Sequence, residues 1–114
     1  MVEMDLFKIQ GSFLMEEASP RAWSTDVPLY DVASGKLLLA ACERCEIAVL
    51  GIEGFHLDGE NRTPDMDFIA DFSALSKRSD FFPTSVRAAH AFLQMAEDDP
   101  ALVFEFLLMA KKAG

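Results

Sequence analysis

The sequence predicts an α+β fold: one compact domain in which a small, largely antiparallel sheet packs with two amphipathic helices. Two segments carry apolar residues at helical spacing, and three others are rich in β-branched, aromatic or alternating residues. An Asp-Gly turn joins two of these extended segments as hairpin neighbours. The 114 residues are 51% hydrophobic and include ten phenylalanines, enough for a core without a metal or disulfide staple. No repeat, low-complexity tract or linker interrupts the chain, so residues 1–114 read as one unit with a less regular part at 1–32.

Within 1–32, "LFKIQGSFLM" reads as two short extended pieces around Gly11 or as a frayed helix. Pro20 and Pro28 argue for irregular chain across "RAWSTDV", with Trp23 and Tyr30 as lids on the core. Leu38, Ala41, Cys42 and Cys45 then stand at i, i+3, i+4, i+7, which predicts a helix over 33–45 capped by Asp31 or Ser34. From 47 to 57 the chain predicts a central strand, apolar on both faces between Ile47 and Ile52. Gly51 and Gly54 point to a bulge or a close backbone approach near Glu53.

After the turn residues of "DGENRTP", the stretch 65–73 admits two readings. As a helix it would start from Thr63 and Pro64. As a strand it buries Met66, Phe68, Ala70 and Phe72 and shows Asp65, Asp67 and Asp71 around an exposed Ile69. The alternation favours the strand. A second helix is expected over 85–97, capped by Thr84 or Ser85, with Val86, Ala89, Leu93 and Ala96 toward the core and His90 at its flank. "ALVFEFLLMAKK" gives a final strand near 102–109, although Asp99-Pro100 could also open a helix.

The net charge of −9 repels phosphate backbones and anionic lipid, which argues against nucleic acid and membrane as partners and favours a basic protein. No apolar run is long enough to span a bilayer. Glu3 and Asp5 stand where a signal peptide needs bases, and the two cysteines lie too close together for a disulfide framework. A cytoplasmic protein is expected.

"CERC" is the motif closest to redox or zinc chemistry. It falls at the negative end of the first helix between Glu43 and Glu46, and both effects oppose a thiolate. Cys42 and Cys45 are therefore expected to be structural, on the buried face, with no metal or cofactor. Glu53, His56 and Asp58 are the residue types of an oriented histidine or a divalent-metal ligand set, but in a strand Glu53 and His56 point to opposite faces, so that only a bulge at Gly54 would bring them onto one side, or Asp58 could pair with His56 instead. The common nucleotide-binding, hydrolase and zinc-protease motifs are missing, so an enzyme is the less favoured class.

The charge distribution carries the functional expectation. Glu53, Asp58, Glu60, Asp65, Asp67 and Asp71 face a single base, Arg62, in the same stretch. With Ile69 among them, they form an apolar anchor in an acidic rim. The expected function is a small acidic interaction module, an inhibitor or immunity protein that masks a basic partner such as a nuclease toxin. The alternative is a divalent-metal protein or enzyme using His56 with Asp65, Asp67 or Asp71. A homo-oligomer built through apolar surface is a further possibility.

Overall fold

Asp31 starts the first long helix as the spacing requires. Its carboxylate accepts from the Ser34 N–H at 2.8 Å, and the Ser34 hydroxyl accepts from the Asp31 N–H, a reciprocal cap that satisfies two helix-end donors. A computed structural model of the chain describes residues 4–59, 61–97, 99 and 101–111. In chain order these form β1 (Met4–Phe7), α1 (Leu14–Glu17), β2 (Ala22–Ser24), β3 (Val27–Leu29), α2 (Val32–Arg44), β4 (Ala48–Asp58), β5 (Asn61–Asp71), a 3₁₀ turn (Ser73–Lys77), α3 (Phe81–Met95) and β6 (Leu102–Lys111).

The main sheet has the order β1-β6-β4-β5, antiparallel throughout, and β2-β3 is a separate hairpin. The α+β expectation holds, with both helices and all three expected strands present. Several details differ. "RAWSTDV" is a hairpin rather than irregular chain, and its tight turn places Thr25 at a positive φ of 57°. Tyr30 is buried as expected, while Trp23 stays 48% exposed. The second helix begins at Phe81, four residues before the expected start, with Asp80 at its N-cap. Ser85 is not a cap: it is fully buried inside the helix.

α2 and α3 cover one face of the sheet. Leu38, Leu39, Val86, Ala89 and Leu93 pack there on Val49, Ile52, Phe104, Phe106 and Leu108. Strand alternation turns the intervening residues to the other face. At one end of that face Leu29, with Ala22 and Val27 of the hairpin, covers Phe55 and Val103. Tyr30 exchanges backbone hydrogen bonds with Phe104 and donates its hydroxyl to the Ala18 carbonyl, tying the N-terminal segment to β6.

Both bulges fall where the glycines were placed. One lies between Val49 and Gly51 against β6, the other between Glu53 and Phe55 against β5. At the second, two steps along β4 oppose five along β5, from Ile69 to Pro64. Phe68, in step with Ala70 and Phe72 as the alternation expects, faces the helices over Gly54 and joins Phe92 and Phe104 in a cluster of edge-on rings, 6.0–6.5 Å apart, while the surplus residues lie between it and Pro64. A Cβ on Gly54 would lie 2.8 Å from the Cβ of Phe68. Glycine is what admits the ring.

Candidate partner-binding face

The bulge rearranges the acidic stretch. Asp65, Asp67 and Asp71 do not share one face as simple alternation requires, and Met66, expected in the core, is 78% exposed at the crest of the bulge. Asp65 instead turns to His56, Oδ2 to Nε2 2.8 Å, while its Oδ1 accepts from the Asp67 N–H at 3.0 Å. The bond to His56, then that to Asp67, holds the Asp65 carboxyl below the usual range. Asp58, an alternative partner for His56, is exposed near the end of β4, opposite Asn61. Glu60 lies outside the described residues.

Glu53, Ile69 and Asp71 do come together. Ile69 stands opposite Glu53 and Asp71 opposite Gly51, on the face turned away from the helices. The strand on the other side of β4 adds Glu105 opposite Glu53 and Leu107 opposite Gly51. These residues line an open groove of about 440 Å³, with Ile69 42% and Leu107 47% exposed. Leu6 of β1 continues the apolar surface on the same face, opposite Met109. Asp71 also accepts from the Ser73 side chain and backbone N–H, which together lower its pKa.

Glu105 and Leu107 lie outside the acidic stretch 53–71 in sequence and join it only in space, through β6. The signal was present: in "VFEFLL" alternation sends Val103, Glu105 and Leu107 to the face opposite Phe104 and Phe106. What the sequence did not supply was the placement of β6 beside β4. The one base of the stretch, Arg62, lies over this face as well, its guanidinium 4.5 Å from the Phe55 ring centroid and 3.5 Å from Glu105.

The other candidates are separated. His56 and Glu53 point to opposite faces of β4 as expected. Of the acids named for a metal with His56, Asp65 reaches it while Asp71 is on the far side of the sheet. Among the described residues no group of three or more His, Cys, Asp or Glu side chains gathers to hold a metal ion. Cys42 is fully buried, and burial, followed by the neighbouring Cys45, pushes its thiol up to about 12. Cys45, expected on the buried face, is exposed at the C-cap, because α2 ends at Arg44 and the helical spacing stops applying one residue later. No helix among the described residues is long and apolar enough to cross a membrane. No family model, curated protein or solved structure matches this chain.

Proposed function

We propose that this protein is a small acidic interaction module that receives a basic protein partner on the open face of its sheet, as an inhibitor or immunity protein masks a nuclease toxin. The observation that carries the reading is the groove itself: Ile69 and Leu107 are uncovered within a rim made by Glu53, Glu105 and Asp71. Apolar side chains left in water at the centre of a like-charged rim have the anatomy of an interface, in which the apolar centre supplies affinity and the charges supply steering and register. The action is occlusion, without bond chemistry. The excess of carboxylates speeds encounter with a basic surface and disfavours polyanions that compete for it.

The test is a two-step binding experiment. The native protein and a variant carrying Glu53→Gln, Ile69→Ala and Asp71→Asn are used to retain proteins from a lysate of the source organism at low and moderate ionic strength. The retained basic protein is then purified and assayed with and without the module. Retention that weakens with salt, is lost in the variant, and inhibits the partner's activity is the expected result. Equal retention by both forms would remove the open face from consideration.

A further inference from the structure

We propose that the groove recognises an arginine of the partner, seated between Glu53 and Glu105 with its side chain along Ile69 and Leu107. The inference rests on the open face being the docking surface, and adds what that surface selects. Glu53 and Glu105 are register partners on adjacent antiparallel strands, so their side chains leave the same face from Cβ atoms about 4.5–5.5 Å apart. Two like charges so placed oppose one another in the free protein, and a cation between them relieves both.

The chain's own Arg62 already sets a guanidinium beside Glu105 on this face. Its guanidinium lies over the Phe55 ring and approaches Glu105 to 3.5 Å, a single long contact rather than a two-pronged one. Arg62 is the internal occupant of one side of the site. Glu53, exposed, forms no ion pair among the described residues. Beside Glu53 the groove is bounded by Ile69, in register with it, and Gly51 forms its floor between Asp71 and Leu107.

An ammonium and a guanidinium differ in this setting. A lysine head is compact and strongly hydrated, and apolar walls on either side oppose bringing it down to the carboxylates. A guanidinium is planar, weakly hydrated, and able to lie along apolar side chains while its edge donates to two carboxylates at once. A hard divalent cation needs about six oxygen ligands, and the walls here are aliphatic.

The experiment titrates hexa-arginine and hexa-lysine peptides into the labelled full chain and follows backbone amide shifts at low ionic strength. Hexa-arginine should move the amides of Glu53, Ile69, Glu105 and Leu107 and bind several-fold more tightly than hexa-lysine. Glu53→Gln should erase that preference, and Glu105→Gln should do so independently. Arg62→Gln should raise the affinity for hexa-arginine more than for hexa-lysine, because it removes the internal competitor. Equal affinity of the two peptides on this face, or a preference that survives both glutamate substitutions, overturns the arginine seat while leaving a basic partner in place. Shifts scattered over the whole surface overturn both readings.

Discussion

Ser85, like the Tyr30 hydroxyl, is a fully buried polar group, and its bonds explain how it is accommodated. Its hydroxyl accepts from the Val49 N–H at 2.9 Å and donates to the Phe82 carbonyl at 3.1 Å. The first bond meets a strand donor at the bulge beside Leu50, close to where β5 leaves β4. Ser85→Ala strands that donor in the core and should cost about 1–3 kcal/mol, read from the denaturant midpoint. The cysteines divide in the same way by environment. Cys45 should react with an alkylating reagent in the native protein, while Cys42, buried with its pKa raised, should react only on unfolding. Mass analysis of the singly modified native protein checks this, and equal modification of both would contradict the burial of Cys42. Sequence spacing assigned Cys42 correctly, and failed for Cys45 because periodicity does not say where a helix stops.

At the scale of elements, α2 was legible because its signals agree: a capping aspartate, an apolar stripe and a start set by Asp31. Asp31→Ala should cost about 1 kcal/mol through the lost cap. Burial pushes the Asp31 carboxyl up, but the Ser34 N–H and hydroxyl and Arg21 outweigh it and leave the pKa lowered. A lowered carboxylate contributes stability that is complete above its unfolded value near 3.9 and is lost as pH falls through the folded value. Asp65 and Asp71 are shifted the same way. The denaturant midpoint should therefore fall as the pH drops below about 4, and Asp31→Asn should make that fall shallower. β5 was legible as a strand, with Phe68, Ala70 and Phe72 on the core as expected, and departs from its expected faces only at 65–67, where Met66 is exposed. Alternation fixes side only while the ladder is regular, and the ladder is broken between Phe68 and Pro64. Gly54→Ala brings a Cβ to 2.8 Å from one that has no freedom to move aside, and overpacking of that kind costs about 1–3 kcal/mol.

For the whole molecule, the charge balance and the open face are one property seen twice. Glu53 and Glu105 oppose each other across two strands of a protein that carries −9 overall, so the free protein should gain stability from added salt and from Glu53→Gln. A thermal unfolding series with and without that substitution measures it, and a loss of stability in Glu53→Gln would show that the pair is not repulsive. The open face could be inferred in part from sequence, through Ile69 and Glu53. Its full extent needed the strand order, because Leu6 and Leu107 come from the two ends of the chain. The looped-out residues of β5 have a further consequence for how molecules meet one another. β5 is an edge of the sheet, and an edge with free backbone donors and acceptors is a template for adding strands from other chains. Pro64 removes a donor, and the excursion at Asp65, Met66 and Asp67 breaks the straight line that an incoming strand would have to follow. Deleting those three residues would set Phe68 opposite Gly54 and Pro64 opposite Phe55 in an unbroken ladder. The shortened chain should still fold, but light scattering should show it self-associating into growing assemblies at concentrations where the native protein stays dispersed.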